Sequence, residues 1–305
     1  MKRKTGYHVL WVLFLVVISC KQKDYREPSS LDDPSSQVEW QSLLDDELSQ
    51  WQPWLGTPHK SSNIEGYEDV EEVREGVPLG LSNRNKVFSV EEEHGEKVLK
   101  VTGEIFGSLM SKSDYQNYHL KFDVKWGNRL WEPMIDRLRN NGMLYHSIGE
   151  PGKGLWNTWM TSLEFEVEHT NFGDFITINF DGNVVAQCPA VEKGGKFYFD
   201  ADVPLVNVGW KRYGSGRVFK NKDLERPMGE WTSLELVCFN NMALHIVEGE
   251  VVMAVYNPQF YDGNKWIPMN KGKLQIQSEG AETYFKNIQI KHIDSLEQKF
   301  QKYIR

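Results

Sequence analysis

The sequence lacks the residues and motifs that mark several common protein classes. It holds three cysteines in 305 residues and no CxxC pair, so neither a disulfide framework nor a thiolate metal site is supported. HExxH and glycine-rich phosphate loops are also absent, and metalloprotease chemistry, phosphoryl transfer and dinucleotide binding therefore have no sequence signal. We accordingly expect no nucleotide cofactor.

Positive charge is in deficit. The chain has 35 basic and 43 acidic residues, which gives a net charge of −8. A nucleic-acid binder needs clustered Lys and Arg for phosphate contacts, so we expect no nucleic-acid partner.

Long apolar runs are missing apart from one near the N-terminus. Residues 9–19 (VLWVLFLVVIS) follow three basic residues and are too short for a membrane-spanning helix. The residues VISC ending at Cys20 resemble a bacterial lipobox, in which the cysteine is lipidated. We expect a lipoprotein signal peptide at 1–19, a lipid anchor on Cys20, and a flexible tether at 20–37 that is rich in Ser, Pro and Asp.

This interpretation places the protein in the bacterial cell envelope, anchored to a membrane and facing the periplasm or the cell surface. Ordinary signal cleavage and an uncleaved anchor are the alternatives, and both still export the domain. Outside the cytoplasm Cys188 and Cys238 can pair, although Cys238 lies in an apolar run typical of a buried residue.

Hydrophobic side chains are plentiful, at 40% of the chain, and follow a period of two from residue 86 onward. In residues 118–126 (YHLKFDVKW), Leu120, Phe122 and Val124 alternate with polar side chains, which is the pattern of a half-buried strand. About a dozen such runs, with turns at 181–183 and 248–250, predict an all-β antiparallel sandwich or jelly roll. We expect one domain at 38–293.

Helix signals are confined to the two ends of this domain. Residues 38–50 are compatible with a short helix. Residues 294–305 predict a C-terminal helix, because Asp294 and Glu297 resemble a capping box and Leu296, Phe300 and Ile304 form one apolar stripe.

Residues 162–174 (SLEFEVEHTNFGD) carry the pattern most typical of a catalytic or binding site. In a strand, Glu164, Glu166 and Glu168 share one face and repel one another, so the row needs water, cations or a function. A solvated edge strand and an acidic groove rimmed by Trp156 and Trp159 are both compatible with this pattern. The eleven Trp, twelve Tyr and fifteen Phe of the chain likewise fit either core packing or stacking on sugar rings.

His146 lies in the preceding strand pattern, residues 140–149 (NNGMLYHSIG). It is either a core histidine or a partner of the carboxylates. In the second case the histidine and carboxylates supply a base, an acid or ligands for one divalent metal ion. Arg137, in the loop before this strand, is a surface residue or an anion contact.

Several ordered blocks of the sequence resemble the 3-keto-disaccharide hydrolase family, also described as 3-keto-glucoside 1,2-lyase/hydratase domains. The resemblance covers roughly residues 40–293. Two departures stand out, since Glu166 occupies a position where the family has Gln, and His169 lies where an acidic residue is usual. The matching blocks are 46–56, 107–125, 141–149, 159–174, 229–235, 247–252 and 271–290.

The resemblance implies a jelly-roll enzyme that acts on glycosides already oxidised at C3 by a separate sugar 3-dehydrogenase. A base removes the C2 proton, the C1 substituent leaves by β-elimination, and water can add back to complete a net hydrolysis. We assign the catalytic roles to Glu164, Glu166 and His146, with Glu164 and His146 also as metal ligands. The candidate sugar contacts are Tyr145, Arg137, Trp156, Trp159 and Gln277.

Two other functions fit parts of the pattern. A retaining β-glucanase of the laminarinase type has Glu-x-Asp-x-Glu on one strand, and residues 164–168 differ from it by one Glu in place of Asp. A non-catalytic carbohydrate-binding module uses an aromatic groove without a base.

Overall fold

A computed structural model describes residues 39–305 of the chain. These residues form nineteen strands, numbered here in chain order, and three short 3₁₀ helices, at Lys60–Ser62, Arg84–Lys86 and Gln298–Tyr303. The predicted signal peptide, Cys20 and the tether lie outside the described residues. Within residues 39–305, no helix has the length and apolar character needed to cross a membrane.

The first sheet contains most of the long strands. Its neighbours pair antiparallel throughout. Two short strands extend it. Strand β1 (Gln41–Ser42) pairs with β19 (Ala281–His292), and β17 (Trp266–Pro268) pairs with β16 (Glu250–Tyr261). The strand order is β3 (Phe88–Glu93), β4 (Glu96–Val101), β19 (Ala281–His292), β6 (Tyr118–Leu130), β14 (Thr232–Phe239), β15 (Met242–Val247), β16 (Glu250–Tyr261), β10 (Val184–Lys193) and β12 (Leu205–Val208).

The second sheet packs against the first. Its neighbouring strands pair antiparallel, except for β13 (Arg217–Phe219) and β11 (Lys196–Phe199), which are parallel. The C-terminal end of β10 pairs with β11, so β10 belongs to both sheets. The strand order is β2 (Trp51–Leu55), β5 (Gly107–Ser111), β18 (Lys273–Ser278), β7 (Asn140–Ile148), β8 (Thr161–Glu168), β9 (Phe175–Ile178), β13 (Arg217–Phe219) and β11 (Lys196–Phe199).

The core lies between the two sheets and is built from alternate residues of their strands. Phe122 of β6 meets Phe165 of β8 with ring centroids 5.9 Å apart, and both are buried. Full burial of a side chain of this size contributes about 1.5–3 kcal/mol. The antiparallel β-sandwich predicted from the period of two is confirmed.

Both predicted helices differ from the structure. Of the predicted helix at 38–50, residues 39–50 are described and contain strand β1 and turns instead of a helix, because Gln41 and Ser42 pair with β19. At the C-terminus the helix is 3₁₀ and begins at Gln298. The Glu297 carboxylate does not cap it, since that group instead pairs with Lys291 at 3.2 Å. Phe300 is buried as expected, whereas Ile304 is exposed.

The two predicted turns have different outcomes. Glu248 and Gly249 connect β15 to β16 as a two-residue hairpin, and both adopt the positive φ angles of such a turn (49° and 77°). Residues 181–183 also form a turn, but β9 and β10 do not pair across it. The chain crosses there from the second sheet to the first, a choice that local sequence does not reveal.

The two cysteines of the domain are free and buried. Burial raises the pKa of the Cys238 thiol to about 12 and also raises that of Cys188. Neither thiol therefore forms thiolate near neutral pH.

In a Cys20→Ala variant, we expect no thiol to react with Ellman's reagent until denaturant is added, after which two react. The unfolding temperature should be the same with and without reductant. Rapid labelling of the native protein, or a lower unfolding temperature in reductant, would contradict this arrangement.

Candidate functional site

Strand β8 carries its carboxylates on the outer face of the second sheet. Leu163, Phe165 and Val167 point into the core, so the alternate residues Glu164 and Glu166 face away from it. Both carboxylates are nevertheless only 3% exposed. Because β8 lies between β7 and β9, the alternative of a solvated edge strand is wrong.

Gly142 of β7 creates the space in which this face assembles. It lies opposite Glu166, and the β7–β18 register places Gln277 on its other side. A Cβ at residue 142 would lie 2.2 Å from Glu164 Oε1 and 2.5 Å from Gln277 Oε1. The missing side chain therefore lets the carboxylate and the amide meet above the strand.

Four buried polar atoms on this face have no hydrogen-bond partner among the described residues. They belong to four adjacent strands and are Ser108 Oγ, Gln277 Oε1, Asn140 Oδ1 and Glu166 Oε1. Buried polar groups are normally paired, so a cluster of exceptions signals a ligand. Since carboxylate and amide oxygens accept hydrogen bonds, the fitting ligand is one with several hydroxyl donors.

Burial and mutual repulsion raise the pKa of several carboxyls here. Burial is the largest cause for Glu164, followed by the negative charge of Glu279. Burial also dominates for Glu166, followed by the charge of Glu164. Burial raises the pKa of Glu279 to about 8. Because neighbouring buried carboxyls cannot all ionise, Glu164 and Glu166 together retain a proton near neutral pH.

Arg217 of β13 is the cation of the site. Its Nε and Nη2 donate to Asp174 Oδ2 at 2.9 and 2.7 Å, and Nη2 also donates to Glu168 Oε2 at 2.9 Å. Asp174 is fully buried and accepts a further bond from the Lys220 backbone N–H. These contacts fix the guanidinium group, whose positive charge lowers the pKa of both Glu164 and Glu166 against the larger effect of burial.

Sequence reasoning missed Arg217, Asp174 and Glu279 as site residues. Strand β13 has only three residues, so no alternation marks Arg217. Glu279 follows the end of β18 and reaches the site because Asn140 lies beside Gly280. Asp174 closes a block of the family resemblance, which was the one available signal.

The predicted sugar-binding residues lie in different parts of the structure. Gln277 lies in the site, and Trp156 is half-buried at its rim. Trp159 is a packing residue, since it is 1% exposed, stacks on Phe106 at 5.7 Å and donates its indole N–H to the Gly107 carbonyl. Arg137 is exposed in the connection between β6 and β7.

His146 and Tyr145 lie on the opposite side of the sheet. A bulge in β7 gives His146 a φ of 49° and turns its ring into the space between the sheets, 5.9 Å from the ring of Tyr118. Tyr145 also faces the core, with its hydroxyl 3.1 Å from His245 Nε2. Burial lowers the pKa of His146 to about 4. His146 therefore lies in the core, which is the first of its two alternatives, and does not meet Glu164.

The donor set likewise does not fit the predicted metal site. Glu164 and His146 are separated by the sheet, and residues 39–305 contain no group of three or more His, Cys, Asp or Glu side chains arranged to hold a metal ion.

The sequence model of the 3-keto-α-glucoside-1,2-lyase-like domain matches residues 39–291, which is most of the chain. The chain belongs to this family. The 3-keto-α-glucoside-1,2-lyase-like domain thus coincides with the β-sandwich, and its outer acidic face is the candidate active site. No curated protein matches the sequence.

Solved structures with a similar course of the chain are distant in sequence. Two are Parabacteroides distasonis ATCC 8503 proteins with a provisional assignment as glycosyl hydrolases. Their identities are 14% and 19%, each with a TM-score of 0.45; the matches cover 84% and 87% of this chain and 100% and 99% of theirs. A non-specific endo-β-1,3(4)-glucanase of family GH16, SCLam, has 13% identity and a TM-score of 0.40 over 83% of this chain and 92% of its own. At these scores nothing of their chemistry transfers to this lyase-like domain.

The raised pKa of Glu279 predicts that the domain loses stability as pH rises. The folded state holds a proton up to a pKa of about 8, whereas the unfolded carboxyl releases it near 4.5, so this contribution is present at low pH and disappears as pH rises through 8. Between pH 6.5 and 8, we expect the free energy of unfolding to fall by about 1.5 kcal/mol from this group. The two buried histidines, with pKa values of about 4, stay neutral in the folded protein throughout this window, and their protonation in the unfolded chain opposes the fall by about 0.4 kcal/mol each between pH 6.5 and 8.

Urea denaturation at pH 6.5, 7.25 and 8 measures this slope. A Glu279→Gln variant should flatten it, while Glu92→Gln, which alters an exposed glutamate on β3, should leave it unchanged. A wild-type stability that is constant or rising over this range would refute the assignment of a proton to Glu279.

Proposed function

We propose that the protein cleaves glycosides whose sugar carries a ketone at C3, by removing the C2 proton and eliminating the substituent at C1. The carrying observation is the burial of Glu164 and Glu166 on one face of the sheet, which raises the pKa of both, beside polar atoms of Ser108, Gln277 and Asn140 that have no partner among the described residues. Membership of the lyase-like family supports the substrate class. The unpartnered acceptors suit the hydroxyl groups of a sugar.

The ketone makes the reaction accessible to a carboxylate base. It acidifies the C2 hydrogen, and removal of that proton places the electron pair in an enolate with its charge on the C3 oxygen. When the enolate collapses, C1=C2 forms, the C3 carbonyl returns, and the C1–O bond breaks with its electrons on the leaving oxygen. The product is a 2-hydroxy-3-keto-glucal, to which water can add to give 3-keto-glucose.

The two glutamates divide the acid and base roles between them. The negative charge of Glu164 raises the pKa of Glu166, so we assign the proton of the pair to Glu166 and the role of base for the C2 proton to Glu164. Glu166 has an oxygen with no donor facing it and keeps the shared proton, which it can deliver to the leaving oxygen. One coupled pair therefore supplies both proton transfers.

Arg217 supplies the positive charge that an enolate needs. Asp174 and Glu168 hold its guanidinium group in place, so little reorganisation is required when charge develops on the substrate. Fixed charges in a site that excludes water contribute more to catalysis than the same charges in solvent.

The glucanase alternative is less compatible with this arrangement. A retaining mechanism on residues 164–168 requires the carboxylates at both ends of that segment. Glu168 is instead paired with Arg217 and accepts a bond from Asn171 Nδ2 at 2.7 Å. A non-catalytic module would explain the hydrogen-bonding face but has no need of two buried carboxyls whose pKa values are raised.

Incubation with a 3-keto-glucoside, followed by NMR, tests the proposal directly. We expect release of the aglycone together with a 2-hydroxy-3-keto-glucal or 3-keto-glucose, with equal rates in the presence and absence of chelator. A deuterium at C2 should slow the reaction and be lost to solvent, because that bond breaks in elimination. Cleavage with the C2 deuterium retained would overturn the mechanism.

The Glu164→Gln variant should lose about 10²–10⁴-fold in kcat/KM, since a positioned general base contributes this much. Glu92→Gln is the matched control and should keep full activity. The wild-type pH profile should be bell-shaped, and its acidic limb should lie above the ordinary glutamate pKa of 4.5, because burial raises the pKa of Glu164.

Gly142→Ala should inactivate the enzyme while the domain remains folded. The added methyl group would displace the Glu164 carboxylate and the Gln277 amide, yet the backbone at residue 142 needs no conformation reserved for glycine. We expect at least a tenfold loss of kcat/KM with unchanged far-ultraviolet circular dichroism. Wild-type activity in this variant would show that the two side chains need not meet.

A further inference from the structure

The candidate active site has an apolar half beside its acidic half. On either side of Glu164 the register places Leu144 of β7 and Ile176 of β9, and Ile178 continues the same face. All three are buried in a small cluster on the outer face of the second sheet, separate from the core between the sheets. The carboxylate that we assign as the base therefore lies at the boundary between charge and hydrocarbon.

Three aromatic rings form the outer rim of this apolar half. Phe180 contacts Trp156 at 6.0 Å and Trp210 at 5.3 Å between ring centroids, in both cases edge to face. Phe180 is 39% exposed, and the two tryptophans are half-buried. The Arg74 guanidinium lies over one face of the Trp156 indole, 4.8 Å from the ring centroid, whereas Phe180 is the most exposed of the three side chains.

Apart from the Arg74 guanidinium, this half presents few hydrogen-bonding groups to a ligand. The indole N–H of Trp210 is donated to the Thr177 carbonyl, and that of Trp159 to the Gly107 carbonyl. The Ser162 hydroxyl is donated to the Met160 carbonyl. In the acidic half, by contrast, buried oxygens of Glu166, Gln277 and Asn140 remain without partners.

A glycoside cleaved at Glu164 has to lie across this boundary. Its 3-keto sugar carries the hydroxyl groups that the acidic half can bind, so the substituent on C1 is directed towards the aromatic rim, where Trp156 and Trp210 pack against the cluster that contains Ile176 and Ile178. A second sugar there would bury hydroxyl groups without partners, which is costly. A planar aromatic ring instead buries apolar area and meets other rings edge to face.

We infer that the preferred substrates are 3-keto-glucosides of phenols, with the aryl group bound at Phe180, Trp210 and Trp156. This inference rests on the proposed function, whose elimination step it leaves unchanged. The C1–O bond breaks with its electrons on the phenolic oxygen, which takes the proton held by Glu166. Ordinary phenols have a pKa near 10, so this leaving group needs less assistance from an acid than an alcohol does.

The Phe180→Ala variant tests the inference, because Phe180 is exposed and its loss should not disturb folding. With phenyl 3-keto-glucosides of both anomers, we expect kcat/KM to fall at least fivefold. With 3-keto-disaccharides of the same anomers, kcat/KM should stay within twofold of wild type. The comparison is made within each substrate, so the greater intrinsic reactivity of the phenyl glucosides cancels.

Trp231→Ala is the matched control, since it removes a half-buried aromatic side chain that contacts Lys125 and Lys286 of the first sheet. This control should leave kcat/KM unchanged for both substrate classes. Equal losses for both classes in Phe180→Ala, or no loss for either, would overturn the aryl subsite while leaving the proposed function standing.

Binding of unoxidised glycosides gives a readout that does not depend on turnover. Phenyl glucosides should bind at least tenfold more tightly than disaccharides by calorimetry, and Phe180→Ala should remove the difference. If no 3-keto-glycoside is cleaved, the proposed function fails and this binding comparison alone decides the inference. Equal affinities for the two classes would refute it.

Discussion

Glu164 and Glu166 are held out of water on the same face of one strand, and the rest of the site is arranged around that constraint. Two adjacent carboxylates cannot both be charged at such a position without a large cost in free energy. The site lowers this cost by keeping a proton on the pair and by placing the positive charge of Arg217 near both carboxyls, while Gly142 leaves the space that they occupy. The same arrangement creates a base and an acid.

The opposite face of β8 explains how the domain tolerates the free-energy cost of burying Glu164 and Glu166. Leu163, Phe165 and Val167 are fully buried between the sheets, and neighbouring strands pair with β8 on both sides. One strand therefore contributes to the hydrophobic core with one face and to the chemistry with the other. Displacement of the glutamates requires displacement of core side chains, which keeps the site rigid.

A considerable part of the fold follows from local sequence. Alternation of apolar and polar residues located most long strands, and it placed the three glutamates of β8 on one face because side chains in a strand alternate with a period of two. Short strands such as β13 carry too few residues to show a pattern, so Arg217 gave no signal. The β7 bulge was equally invisible, and it reversed the expected direction of His146.

The sequence by itself determined the β-sandwich, the two faces of β8 and the resemblance to a family that acts on 3-keto-glucosides, because these depend on residue type and spacing along one segment. Only the tertiary structure decided that the carboxylates are buried, that Arg217, Asp174 and Glu279 join them, and that an aromatic rim adjoins them. These features depend on strand register and on connections distant in sequence. Burial, and with it the raised pKa values, is a property of neighbours that no single segment contains.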